Sequence, residues 1–151
     1  MKLKTVISPD ANEEIIIRCK ERNEKVLRLE RVIENLINAD AETILRLGET
    51  EYFVPYKKIL FYEMQDGRLT AHTKERTYTA EGTLTKLEEI LPHYFVRASK
   101  SCIINASLVS SISHNIAGPS KVCFNNTEKF VYASRSYYKF LKERVYAVHG
   151  L

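Results

Sequence analysis

The sequence is poor in the residues that build disulfide scaffolds, flexible linkers and membrane spans. It has no tryptophan and only five glycines, four prolines and three cysteines among its 151 residues. Cys19, Cys102 and Cys123 are far apart and show no C-x-x-C spacing, which indicates buried, reduced thiols and neither a disulfide framework nor a zinc site. No apolar run approaches the roughly 20 residues that span a bilayer, and the N-terminus does not begin a signal peptide. We therefore expect a cytoplasmic protein.

The sequence also lacks the side-chain patterns of an active site. Its four histidines share no metal-ligand spacing, and none pairs with a cysteine or aspartate in a catalytic pattern; they are His72, His93, His114 and His149. There is no nucleophile–base pair and no glycine-rich loop of the kind that cradles phosphates. We expect no enzymatic activity, no catalytic residues, no metal site and no cofactor.

Positive charge is concentrated in the last third of the chain. Residues 1–46 carry nine Lys/Arg and nine Asp/Glu, and residues 47–93 carry six and eight. Residues 94–151 carry eight Lys/Arg against two Asp/Glu. Such one-sided charge favours a polyanionic partner, although a basic face is also found on many domains that bind no nucleic acid.

The first part of the chain predicts a small extension. Strand patterns at residues 2–7 and 14–19 precede a helix at residues 21–38. The apolar positions of that helix have helical spacing and are Val26, Leu29, Ile33 and Leu36. This β-β-α extension, residues 1–42, is too small to be stable alone, so its helix either covers its own sheet or pairs with a second copy.

The remainder, residues 43–151, predicts an α+β domain that is mostly β. The predicted strands are at 43–48, 52–54, 59–64, 69–73, 77–81, 95–98, 102–105, 109–113, 121–125 and 130–133. Two helices are predicted, at 83–91 and at 134–148, the second capped by Ser134 or Ser136. Asp66-Gly67 predicts a tight hairpin turn. Lys129 falls in a predicted turn, where we expect it to contribute little to binding.

Polar and cationic side chains are concentrated in three clusters beside core elements. In chain order they are Asp66, Gly67 and Arg68; Arg97, Ser99, Lys100 and Ser101; and Arg135, Ser136 and Lys139. Arg and Lys bind phosphates and donate to guanine O6 and N7, and a helix N-terminus favours an anion. The pattern alone favours a solvated strand edge at Arg97 and Lys100, where lysines deter aggregation.

Several motifs occur in a characteristic order. They are KKILFYE (57–63), HT (72–73), GTLTKLEEILPHYFVRASKSCIIN (82–105) and YASRSYYKFLKE (132–143). Together they resemble the LytTR DNA-binding domain of bacterial transcription regulators. The resemblance implies an elongated stack of small β-sheets with few helices, whose loops enter successive major grooves of direct-repeat promoter sites.

The resemblance also implies which residues face the DNA. It implicates Lys100 with Arg97 and Ser99 nearby, the Asp66-Gly67-Arg68 hairpin, and Arg135-Ser136 at the start of the last helix. Ser99 stands where the family often has His, and Ser136 where it often has a second Arg, which indicates a different target sequence. The expected partner is double-stranded DNA.

Two further partners are left open by the sequence. The first 46 residues cannot hold a receiver domain, so the chain resembles stand-alone family members with a short N-terminal extension. Some of those members are restrained by a small membrane protein, and a homodimer through residues 21–38 is a further alternative. A protein–protein interaction module with an incidental basic face is the competing interpretation of the whole chain.

Overall fold

The computed structural model describes residues 15–37 and 41–151. The strand predicted at residues 2–7 lies outside these ranges. Residues 15–19 form no strand, so the strand predicted at 14–19 is wrong for the part described. Ile15 and Ile16 are exposed there, and a β-branched run forms a strand only when a neighbouring strand completes its hydrogen bonds.

Three α-helices occur within the described ranges: α1 (Glu24–Ile37), α2 (Leu84–Ile90) and α3 (Tyr138–Val148). Each end lies within four residues of its predicted position. The first turn of α1 is held by Asn23, whose Oδ1 accepts the Val26 N–H at 3.2 Å. Thr83 caps α2 in the same way, because its hydroxyl accepts the Lys86 N–H at 3.3 Å.

The predicted cap of α3 is wrong. Tyr137 occupies the N-cap position, and no side chain caps this helix. The Ser134 and Ser136 hydroxyls lie 3.3 Å apart and hydrogen-bond to each other. The helix is instead preceded by a turn in which the Ser134 carbonyl accepts the Tyr138 N–H at 3.1 Å.

The α+β, mostly β fold is confirmed by two antiparallel sheets in the described residues. The larger sheet has the order β2-β1-β5-β4-β3-β7-β6. Its strands are β1 (Glu42–Leu47), β2 (Thr50–Pro55), β3 (Phe61–Gln65), β4 (Arg68–His72), β5 (Thr77–Thr79), β6 (Phe95–Ser99) and β7 (Cys102–Asn105). The smaller sheet has the order β10-β9-β8. Its strands are β8 (Val109–Ser113), β9 (Ser120–Phe124) and β10 (Phe130–Ala133).

Alternating side chains of the large sheet divide the core into two layers. In β7, Cys102 and Ile104 pack in the layer shared with the small sheet and α3, while Ile103 packs in the layer that α2 covers. The Phe61 ring continues the first layer across both sheets, since its centroid lies 5.6 Å from that of Phe124. The two sheets therefore form one packed body.

Two polar side chains join separate parts of this body. Asn105 is fully buried at the end of β7, and its Nδ2 donates to the Ile59 carbonyl at 3.0 Å. Lys129 Nζ, just before β10, donates to the carbonyls of Thr73 at 2.7 Å and Arg76 at 3.2 Å, in the turn between β4 and β5 of the large sheet. Lys129 is thus a link between the sheets.

The cysteines only partly match the expectation of buried thiols. Cys102 is buried, Cys123 is half-buried and Cys19 is exposed. Burial raises the pKa of the Cys102 thiol, so this side chain is a neutral packing group.

Candidate nucleic-acid interface

The first predicted cluster forms the turn of the β3–β4 hairpin. Gln65 pairs with Arg68, which leaves the two-residue loop Asp66-Gly67. Asp66 has a φ of 51° and Gly67 a φ of 74°. Two consecutive positive φ angles are those of a type I′ turn, whose twist matches that of the flanking strands. The hairpin ends in a tight tip with Arg68 exposed beside it.

The second cluster forms the β6–β7 turn, which lies next to the first. β3 runs antiparallel to β7, with Glu63 opposite Cys102. The Met64 N–H donates to the Ser101 carbonyl at 2.8 Å. Consequently the end of β3 and the start of β7 lie together, and both turns are at the same end of the large sheet.

The third cluster reaches the same end from the small sheet. The Ser134 N–H, just after β10, donates to the Ala98 carbonyl of β6 at 2.9 Å. Arg135 and Ser136 therefore follow directly beside the end of β6, and Lys139 lies in the first turn of α3. We call the three turns, residues 66–68, 99–101 and 134–136, together with Lys139, the recognition end.

Four cations of the recognition end are exposed: Arg68, Lys100, Arg135 and Lys139. Their side chains make no hydrogen bond or ion pair with any other described residue. Ser101 and Ser136 are exposed beside them. Unpaired cations and short hydroxyl donors on one surface favour a phosphate-bearing partner.

Arg97 differs from these cations because its guanidinium is used inside the protein. Its Nε donates to the Ser99 carbonyl at 2.9 Å and its Nη2 to the Lys100 carbonyl at 3.1 Å. Nη1 lies 3.4 Å from Glu88 Oε2, and the side chain is 17% exposed. Arg97 thus fixes the shape of the turn that carries Lys100.

Ser99 also belongs to the framework of this turn. Its hydroxyl accepts the Ser101 N–H at 3.2 Å, and the β6–β7 register shifts between Arg97 and Ser99. Such a bulge re-aims the chain at the end of a strand pair. Of the predicted cluster, Lys100 and Ser101 point outward, while Arg97 and Ser99 hold them.

One element at the recognition end was missed by sequence analysis. The loop between β8 and β9, residues 114–119, lies beside α3, and the His114 ring stacks on that of Tyr138 with centroids 4.1 Å apart. The pair Gly118-Pro119 favours a turn, but nothing in the sequence connects this turn with a helix that begins 19 residues later.

In residues 15–37 and 41–151 no group of His, Cys, Asp and Glu could hold a metal ion. None of the helices in those ranges is long and apolar enough to cross a membrane.

Comparison with known proteins gives a family match over most of the chain. Residues 49–145 match the family described as the LytTr DNA-binding domain. An "uncharacterized HTH-type transcriptional regulator" of Staphylococcus aureus is 24% identical over 147 residues, which are 96% of this chain and 98% of that protein. The sensory transduction protein LytT of Bacillus subtilis is 27% identical over 136 residues, 87% of this chain and 55% of that protein.

The fold itself has a solved counterpart. The LytTr DNA-binding domain of a Bacillus cereus protein, described as a methyl-accepting/DNA response regulator, superposes with a TM-score of 0.64 at 22% identity. The match covers 70% of this chain and 97% of that domain. Among the described helices no two are consecutive along the chain, so this fold presents turns, and not a helix-turn-helix pair, at its recognition end.

Proposed function

Because the chain belongs to the family of LytTr DNA-binding domains, we propose that it is a cytoplasmic transcriptional regulator. It reads specific duplex sites, arranged as direct repeats, through loops that enter the major groove. The observation that carries the proposal is the convergence of three turns on one end of the molecule, where four cations are exposed without a partner among the described residues. The transcriptional regulator of Staphylococcus aureus and the sensory transduction protein LytT of Bacillus subtilis, which are both similar to this chain, support a regulatory role.

The exposed side chains divide into two roles. Lys100 and Arg135 lie at the tips of their turns and are our candidates for base edges, since Lys and Arg donate to guanine O6 and N7 in the major groove. Arg68 and Lys139 neutralise phosphates, and Ser101 and Ser136 donate short hydrogen bonds to phosphate oxygens. Gly67 carries no side chain, which allows the hairpin backbone to approach the duplex.

Arg97 and Ser99 act as positioning residues in this proposal. A turn that is already rigid loses less conformational entropy on binding, so a fixed backbone strengthens the contact that its exposed side chain makes. Arg97 supplies that rigidity by bonding to two successive carbonyls of the turn.

The test is selection of bound duplexes from fragmented host genomic DNA at moderate salt. Wild type, Lys100→Ala and Lys74→Ala are compared. Lys74 is an exposed lysine just beyond the far end of β4, the end opposite Arg68, and serves as the matched control. We expect a motif repeated at fixed spacing that wild type and Lys74→Ala recover equally and that Lys100→Ala recovers weakly. Each lost base contact should reduce the free energy of discrimination between the right and the wrong base by about 1–3 kcal/mol.

The competing function, a protein–protein interaction module, predicts a different result. No motif would be recovered, or all three proteins would recover it equally. That outcome would show that the recognition end does not read DNA sequence.

We further propose that α1 binds a partner, either a second copy of the chain or a small membrane protein that restrains the regulator. Val32 in this helix is 54% exposed and Ile37 is also exposed, although both are large apolar residues. Light scattering of wild type and Val32→Asp tests the homodimer, because a dimer through α1 would dissociate in the variant. A monomer for both proteins would leave the membrane protein, tested by co-purification, as the partner to seek.

A further inference from the structure

The loop between β8 and β9, residues 114–119, is a fourth element at the recognition end. Ser113 pairs with Lys121, and Ser120 pairs with Ala133. The ends of β8 and β9 that carry the loop therefore lie level with the end of β10. The chain continues from there into the Ser134–Ser136 turn.

The shape of this loop is fixed by its own hydrogen bonds. The buried Ser120 hydroxyl accepts the Asn115 N–H at 3.1 Å and lies 3.3 Å from His114 Nδ1. Asn115 Oδ1 accepts the Ala117 N–H at 3.0 Å. The stack of His114 on Tyr138 then attaches the loop to the first turn of α3.

The fixed loop presents an apolar side chain to solvent. Ile116 is 82% exposed. The loop contains no charged residue, and its contact with Tyr138 places it at the first turn of α3, which also carries Lys139. Single exposed apolar residues are common on proteins. Ile116 differs because its loop is fixed by hydrogen bonds and lies at the recognition end, where we expect an anionic partner.

We propose that this loop is a fourth DNA contact, in which Ile116 packs against the sugars and base edges of the groove flanking the one that Arg135 enters. The inference rests on the proposed function. Apolar side chains recognise the thymine methyl group in the major groove and pack against sugars in the minor groove. Lys139 holds a flanking phosphate close, and the loop brings an uncharged surface to the neighbouring groove. With this contact the protein covers a longer stretch of DNA than the three turns alone would cover.

The experiment uses the full chain and a duplex recovered in the selection described above. Fluorescence anisotropy gives the affinity, and hydroxyl-radical footprinting gives the length of the protected site. Ile116→Asp, which places a carboxylate against phosphates, should bind at least about tenfold more weakly. Ile116→Ala should bind about fivefold more weakly because apolar contact is lost. In both variants the footprint should shorten on one side of each repeat.

Leu151→Asp is the matched control, because Leu151 is 85% exposed and lies beyond the C-terminal end of α3. Its affinity and footprint should equal those of wild type. Wild-type affinity and an unshortened footprint for Ile116→Asp would overturn the fourth contact, even where Lys100→Ala still weakens binding. A wild type that binds no selected duplex would instead overturn the proposed function.

Discussion

At the scale of single residues, Arg97 and Lys100 show that neighbouring cations can have opposite uses. Both were predicted as DNA contacts, yet Arg97 bonds to two carbonyls of the turn while Lys100 is exposed. The sequence indicated the cluster but not this division. Arg97 donates to backbone carbonyls, and every residue has one. The residue types in the sequence therefore do not show where these hydrogen bonds form.

Replacing Arg97 should show whether this side chain stabilises the turn or binds phosphate. Arg97→Ala removes two charge-assisted hydrogen bonds from a side chain that is 17% exposed. We expect the free energy of unfolding to fall by about 2 kcal/mol and DNA affinity to fall because the turn loosens. Denaturant unfolding and anisotropy titrations at several salt concentrations measure the two effects.

The slope of affinity against salt distinguishes positioning from contact. Each phosphate contact adds about 0.9 to the slope of log K against log salt. The slope for Arg97→Ala should equal that of wild type, whereas Lys139→Ala should reduce it by about 1. A reduced slope for Arg97→Ala would show that the guanidinium leaves the turn and binds phosphate directly.

At the scale of elements, local turn chemistry was the most predictable feature. Asp66-Gly67 indicated the hairpin from sequence alone, and the φ angles of 51° and 74° confirm it. The strand predicted at residues 14–19 rested on a continuous apolar run, and residues 15–19 form no strand. The difference is physical: a hairpin turn carries its own conformational preference, whereas an apolar run requires a partner strand that the sequence does not specify.

The hairpin turn predicts a cost for Gly67→Ala. A Cβ on Gly67 would meet no atom within 4 Å, so the cost is conformational and not steric. We expect a loss of about 1 kcal/mol in the free energy of unfolding, since L-residues avoid a positive φ. Asp66→Asn is the control, because Asn tolerates this region and should leave stability unchanged. Equal thermal stability of Gly67→Ala and wild type would contradict the type I′ turn.

At the scale of the whole molecule, the recognition end depends on how the two sheets are held together. Its first two turns belong to the large sheet and its third follows the small sheet. The junction includes the rings of His72, Phe61 and Phe124, since His72 stacks on Phe61 at 4.2 Å and Phe61 lies 5.6 Å from Phe124. Sequence patterns predicted every strand of both sheets but not this junction, because side chains far apart in sequence form it.

Lys129 provides a direct test of the junction. Lys129→Ala removes the hydrogen bonds to the Thr73 and Arg76 carbonyls. We expect the free energy of unfolding to fall by about 1–2 kcal/mol, with DNA affinity unchanged where the protein remains folded. Lys74→Ala, one residue from Thr73 and exposed, should leave both quantities unchanged. An unaltered stability of Lys129→Ala would mean that the link contributes nothing in solution.

The same junction predicts how stability depends on pH. Burial, reinforced by the positive charge of Lys129, lowers the pKa of His72 from 6.5 to about 4. The ring is neutral in the folded protein, with Nε2 3.2 Å from the Thr70 hydroxyl and Nδ1 3.2 Å from the Thr77 hydroxyl. Between pH 6.5 and about 4 the unfolded chain binds the extra proton, so the free energy of unfolding falls as the pH falls through this window.

His72→Gln should remove this part of the pH dependence, because the amide keeps a hydrogen-bonding group at the site but does not titrate. Denaturant unfolding gives the free energy of unfolding of wild type and of His72→Gln across this pH window. The difference between the two removes the contribution of carboxylates that titrate in the same pH range. The difference should shrink in a Lys129→Ala background, since removing that charge raises the pKa of His72. It should not vanish there, because burial is the larger cause of the shift. A difference that is flat with pH would mean that the His72 ring is hydrated in solution and that the two sheets are not closed over it.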